Sequence, residues 1–159
     1  ETLGIVQNKN PSQMSESDQK QERKPVFENK INLEPDMDEI LDLGGTHIRL
    51  HAVHREKELE IPKNQYTKWF DYDKIKGTLT VRTRQTGDYI TLKDGRKKTV
   101  KAYMIDEKIP RELRDRVTLL AEDHHVLWIV GWRISEYYKV TEDTDYVLEV
   151  QADGGRENG

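Results

Sequence analysis

The chain has 159 residues, 35% of them charged and 34% apolar, with no cysteine and a formal net charge of −4. Lack of cysteine excludes a disulfide framework, a thiolate zinc site and a cysteine nucleophile. No apolar run approaches the ~18 residues of a spanning helix, and no secretory signal is visible. Leu, Ile, Val and Phe number 37, above the ~20% share below which chains stay unfolded. A folded cytoplasmic domain with polar, non-folding ends is therefore expected, without a membrane partner. The start at Glu1 rather than Met suggests a piece of something longer.

Gln7 to Lys24 (QNKNPSQMSESDQKQERK) holds one apolar side chain, Met14. It cannot offset its own ordering entropy, so residues 1–25 are expected to be a polar linker. Residues 26–77 are expected to form a β-rich segment: Val26 to Leu33 alternates weakly, Gly44-Gly45 marks a turn, and Thr46 to Ile61 alternates at Ile48, Leu50 and Ala52. Residues 78–151 are expected to form a second unit. Within it Thr78 to Arg84 and Asp88 to Leu92 are predicted strands, followed by a turn at Lys93-Asp94-Gly95. A helix is predicted from about Lys97 to Glu107, with Val100, Met104 and Ile105 on its apolar stripe. Pro110 suits the first turn of a second short helix, Arg111 to Arg116. The apolar runs Val117 to Ala121 and Val126 to Val130, then Tyr146 to Val150, complete the body, and residues 152–159 form a second tail. Strands, a small helical insert and more strands give the class α+β.

No self-contained active site is visible. His47, His51 and His54 lie at helical spacing, but Ile48, Leu50 and Ala52 alternate as in a strand, which sends His54 to the face opposite the other two. There is no Gly-x-Ser-x-Gly elbow, and Gly44-Gly45 lacks the lysine and hydroxyl of a phosphate loop. Acidic pairs such as Asp106-Glu107 read as solvated surface. The expectation is no catalytic residue, no metal and no cofactor within these residues.

Charge is distributed unevenly. Lys93 to Arg116 carries nine basic and five acidic residues, a net +4, so the remainder carries −8. Lys97, Lys98 and Lys101 would share one side of the first predicted helix, either a surface suited to phosphate or a solubilising face with local salt bridges, Arg114 and Asp115 included. Tyr66, Trp69, Phe70 and Tyr72 cluster, as do Trp128, Trp132, Tyr137 and Tyr138. Trp128 and Trp132 are expected in the core, while Tyr137-Tyr138, with an aromatic on each face of the segment, is open between core and a stacking surface for unpaired bases. Net negative charge argues against non-specific duplex coating, with no DNA partner expected, and for a localised contact.

The pattern Arg84-x-x-Gly87-Asp88-x-Ile90-x-Leu92, Lys97-Lys98-x-x-Lys101 and Ile105-Asp106-x-Lys108-Ile109-Pro110-x-x-x-Arg114-Asp115-Arg116 continues through Leu119-Leu120, Val126-x-Trp128 and Gly131-x-Arg133-Ile134-Ser135. In this order it resembles the C-terminal domain of tRNA(Ile)-lysidine synthase, over about residues 31 to 150. Thr118 departs from the proline more usual in that family. The resemblance implies a small β-sandwich-like assembly of unusual topology with two short helices, similar to a tRNA-binding-type domain of the phenylalanyl-tRNA synthetase β chain. It also implies part of an ATP-dependent ligase that joins lysine to the wobble cytidine of tRNA(Ile). The Ser-Gly-Gly-x-Asp-Ser loop of that enzyme's catalytic domain does not occur in this sequence. ATP and magnesium are therefore expected with the missing domain, and this part alone should be inactive.

The implied role is docking of the tRNA acceptor stem. Its implied contacts are Lys97, Lys98, Lys101, Lys108, Arg111, Arg114 and Arg116 on phosphates, with Arg84 and Arg133 at the rim. Asp88, Asp106 and Asp115 would orient these cations. The alternative is a homodimerisation or protein-interaction module, with Val126 to Val130 as an exposed edge.

Overall fold

The computed structural model describes residues 22–56 and 60–153. Most of the expected linker and residues 154–159 lie outside the described residues. Strand β1 (Glu28–Ile31) is followed by β2 (Asp38–Asp42), β3 (His47–His54), β4 (Thr67–Asp71) and a 3-10 turn at Tyr72–Lys74. Then come β5 (Leu79–Arg82), β6 (Tyr89–Thr91), β7 (Lys97–Thr99) and the helices α1 (Val100–Asp106) and α2 (Arg111–Arg114). The strands β8 (Leu119–Glu122), β9 (His125–Ile129) and β10 (Arg133–Ile134), a second 3-10 turn at Glu136–Tyr138, and β11 (Tyr146–Ala152) complete the order.

These strands form two sheets. The larger runs β1-β5-β8-β9-β6-β7, with β10 also paired to β9; the smaller runs β2-β3-β11-β4. All pairings are antiparallel except that of β9 with β6. Strands from either side of residue 77 share both sheets, because β1 pairs with β5 and β11 lies between β3 and β4.

Alternation decides what each sheet buries. Ile48, Leu50 and Ala52 of β3 meet Leu148 and Val150 of β11 on the inner face of the smaller sheet. Leu79 and Val81 of β5 and Leu120 of β8 line the facing surface of the larger one, with Phe70 and Trp128 between, ring centres 6.3 Å apart. Leu119 and Ala121 of β8 point the other way and pack with Ile90, Val100, Tyr103, Met104 and Ile109. The larger sheet thus has the smaller sheet on one face and the helical segment on the other. The register of β9 against β8 slips between Val126 and Trp128. This bulge admits one extra residue, so consecutive Leu127 and Trp128 both enter the inter-sheet core while Val126 and Ile129 face the helices.

The first helix begins three residues later than its charge and apolar pattern suggest. Lys97 and Lys98 are in β7, paired with Thr91 and Ile90. Thr99 caps α1 by accepting the Ala102 amide at 3.0 Å. The buried stripe is Val100, Tyr103 and Met104, not Val100, Met104 and Ile105, and Ile105 is 48% exposed. The second helix stops at Arg114 rather than Arg116. Trp128 is buried as expected, but Trp132 is 47% exposed, since it follows the Gly131 turn instead of continuing β9. Val126 to Ile129 are wholly buried inside the larger sheet, so this run presents no exposed edge. No described helix is long and apolar enough to cross a membrane.

Candidate nucleic-acid interface

The nine expected RNA-contacting cations occupy different settings. Arg84 is 7% exposed and its Nε donates to Asp115 at 2.9 Å. Arg133 lies half-buried, 4.0 Å from Glu136. Arg114 is partly buried, with Nε donating to the Ile109 carbonyl at 2.8 Å. Lys98 is ion-paired with Asp106 of α1. Lys101, Lys108, Arg111 and Arg116 are exposed and form no ion pair with a described residue.

The expected grouping of Lys97 with Lys98 and Lys101 on one helix face does not occur. Neighbouring residues of a strand point to opposite faces. Lys98 therefore turns toward α1, and Lys97 turns away, its Nζ 4.6 Å from the centre of the Tyr89 ring.

Asp106 and Asp115 hold cations of the expected set, whereas Asp88 holds Arg82, which is outside it. Asp106 pairs with Lys98. Asp115 binds Arg84 and also Arg23, which extends from the end of the expected linker and donates to both of its oxygens at 3.0 and 2.8 Å. Burial opposes the Asp115 charge, but the hydrogen bond and charge of Arg84, joined by Arg23, hold its carboxyl below the usual range. Asp88 binds Arg82 through two 2.8 Å bonds, accepts the Gln85 amide at 2.8 Å, and lies 3.2 Å from His124.

Lys108 has its own backbone setting. It sits just past α1 at φ +58°, where side chains other than glycine are disfavoured. Its amide donates to the Ile105 carbonyl at 3.0 Å, and the Ile109 amide donates to the Met104 carbonyl at 3.0 Å. This is a Schellman stop, with Ile109 and Met104 buried together beneath it.

Sequence reasoning did not foresee a cleft on the opposite face of β6 and β7, about 610 Å³ in volume. Parallel pairing sets His125 beside Tyr89, and their rings stack at 4.6 Å and 24°. Tyr137, 47% exposed, completes the wall 5.2 Å from His125. Lys74, Lys76 and Lys97 rim the cleft. The Lys74 Nζ donates to the Tyr137 carbonyl at 3.1 Å and stands 5.4 Å from its ring centre. Glu122 is engaged internally: it accepts from the Tyr138 hydroxyl and the Lys76 amide, both at 2.5 Å, and from the Gly77 amide. Burial pushes the His125 pKa down, Lys97 adds to this, and Glu122 opposes it. Tyr138, the buried partner of the exposed Tyr137, has its pKa raised by burial and by Glu122. The sequence signal was the adjacent pair Tyr137-Tyr138, a candidate stacking surface; nothing in the sequence set Tyr89 and His125 beside it.

The Gly44-Gly45 turn does not fit a nucleotide-phosphate site. The Gly44 and Gly45 amides, which could face a phosphate, donate to the Asp42 carboxylate at 3.0 and 3.4 Å. Among the described residues no group of three or more histidines and carboxylates could hold a metal ion.

Residues 79–150 match the family model of the TilS substrate C-terminal domain. A tRNA(Ile)-lysidine synthase of Caldanaerobacter subterraneus is 39% identical over 109 residues, covering 68% of this chain and 23% of the relative. The corresponding protein of Clostridium tetani is 38% identical over 130 residues, covering 76% of this chain and 27% of the relative. That of Dehalococcoides mccartyi is 42% identical over 112 residues, covering 69% and 23%. The chain thus spans about a quarter of the length of these relatives. A crystal structure of a TilS C-terminal domain superposes with a TM-score of 0.62 at 25% identity, covering 79% of this chain and 96% of that one. By domain match, relatives and fold together, residues 79–150 of this chain belong to the TilS substrate C-terminal domain family.

Proposed function

We propose that this chain docks the acceptor region of tRNA(Ile) for an ATP-dependent ligase that joins lysine to the wobble cytidine. The catalytic residues, ATP and magnesium lie outside these residues. The observation that carries this reading is the set Lys101, Lys108, Arg111 and Arg116: exposed cations without a carboxylate partner among the described residues, in a chain of net charge −4. Contacts of this kind position an RNA and carry little base information. Lys97 and Lys98 contribute from the two faces of β7, and Arg84, Arg114 and Arg133 shape the surface through their internal bonds. The expected kinship with the tRNA-binding-type domain of the phenylalanyl-tRNA synthetase β chain belongs to the same proposal, since such a module holds tRNA without reacting on it.

The test is binding of the 159-residue chain to a blunt minihelix of the acceptor stem across a salt series. With four phosphates neutralised, log affinity falls against log salt with a slope of about −3 to −4. Alanine at Lys101, Lys108, Arg111 and Arg116 together should flatten that slope. Lysine-dependent ATP turnover by the chain alone would overturn the docking role, as would retained RNA affinity in the quadruple variant.

Self-association is the second reading, and its support is β2. This strand is at the edge of the smaller sheet and carries Ile40, 66% exposed. A monomeric mass that does not change with concentration would remove it.

A further inference from the structure

The cleft over β6 and β7 has a composition that intramolecular packing does not require. Tyr137 leaves nearly half its surface in water although the neighbouring Tyr138 is 1% exposed. Tyr89, His125 and Tyr137 present adjoining ring faces and edges, and three lysines from two segments, Lys74 and Lys76 on one and Lys97 on the other, converge on them. None of Lys74, Lys76 and Lys97 forms an ion pair with a described residue. Glu122, a partly buried acid of the lining, already accepts from three donors. Asp123 at the rim is the other carboxylate of the lining. Flat π surfaces bordered by unpaired cations suit a group that is itself flat and carries a flanking negative charge.

We propose that this cleft receives an unpaired nucleobase of a bound RNA, stacked on Tyr137 beside His125 and Tyr89, with its flanking phosphates at Lys74, Lys76 and Lys97. Base stacking on aromatic rings is tolerant of sequence, and a ring already held by its neighbours loses little freedom on binding. The cleft lies on the face of β7 opposite α1, so of the cations placed on the duplex it shares only Lys97. The inference rests on the docking reading only for the identity of the RNA: a duplex seated on the helical side would supply the unpaired base from a single-stranded end.

The experiment uses the 159-residue chain with two RNAs, the blunt minihelix and the same helix bearing a short single-stranded 3′ extension that contains 2-aminopurine. The extension should tighten binding about tenfold, within the range of single base–aromatic stacks, and its fluorescence should fall on binding. Tyr137→Ala should abolish both effects and leave the blunt helix unaffected, while Tyr137→Phe should retain them. Equal affinity for the two RNAs, or quenching that survives Tyr137→Ala, overturns the cleft assignment and leaves duplex docking standing. Tyr137-dependent binding of the extended RNA without any affinity for the blunt one upholds the cleft and removes duplex docking. Binding of neither RNA removes both.

Discussion

Arg82 and Asp88 face each other through two 2.8 Å hydrogen bonds, with side chains only 3% and 1% exposed. Arg82 also donates to the carbonyls of Thr83 and Asp123, so this one guanidinium ties β5 to the β8–β9 turn. A buried pair stripped of one partner leaves an uncompensated charge. Arg82→Met should therefore destabilise the domain by about 3–5 kcal/mol, read from urea unfolding. Restoring the balance with Arg82→Met/Asp88→Leu should recover part of that loss, and no recovery would mean that the carbonyl contacts carry the effect.

Thr99 fixes where α1 begins, and with it the direction of Lys98 and Lys101. Thr99→Ala removes the acceptor of the Ala102 amide and should cost about 1 kcal/mol, whereas Thr99→Ser should be near neutral. Unfolding midpoints of the two variants decide it.

Stability and RNA binding should move in opposite directions at Lys108. Its left-handed backbone favours glycine, so Lys108→Gly should stabilise the chain by roughly 1 kcal/mol. The same change deletes an exposed cation beside α2, and affinity for the minihelix should fall. Equal or lower stability in Lys108→Gly would show that the Lys108 side chain offsets its own backbone strain.

His125 should make folding sensitive to mild acid. Burial, aided by Lys97, holds its folded pKa below the ordinary value of 6.5. The unfolded chain therefore binds the proton more readily, and the stability associated with neutral His125 is complete above about pH 6.5 and is lost as pH falls toward the folded pKa. Replacement by a non-titrating ring, His125→Phe, should flatten the stability profile between about pH 6.5 and about pH 5, above the carboxylate range. An unchanged profile would assign the slope to the other histidines.

The strands with clean alternation, β3, β5 and β11, were legible because one face of each is buried against the opposite sheet. β2 was not, since Asp38, Glu39, Ile40 and Asp42 are exposed and the strand exists through pairing with β3. β10 is two residues long and depends on its register with β9. At Lys97–Thr99 a lysine run and helical spacing suggested a helix; backbone pairing with β6 overrode both, and only the Thr99 cap marked the change. The basic character of the Lys93–Arg116 segment was legible, but its division between two faces followed from that strand. The cleft could not be read because Tyr89 and His125, whose side chains meet Tyr137, come together through a parallel pairing of residues far apart in the chain.

The place of β11 between β3 and β4 has a consequence for biosynthesis. On a translating ribosome, residues 47–71 emerge well before residues 146–152, and until then β3 and β4 each have a vacant flank. The smaller sheet can close only after the intervening segment, helices included, has cleared the exit tunnel. Completion is thus long-range and late, a topology associated with slow folding and with transiently open strand edges. A stop codon ahead of Tyr146 would not merely shorten the product; it would leave half of the sandwich core without its central strand.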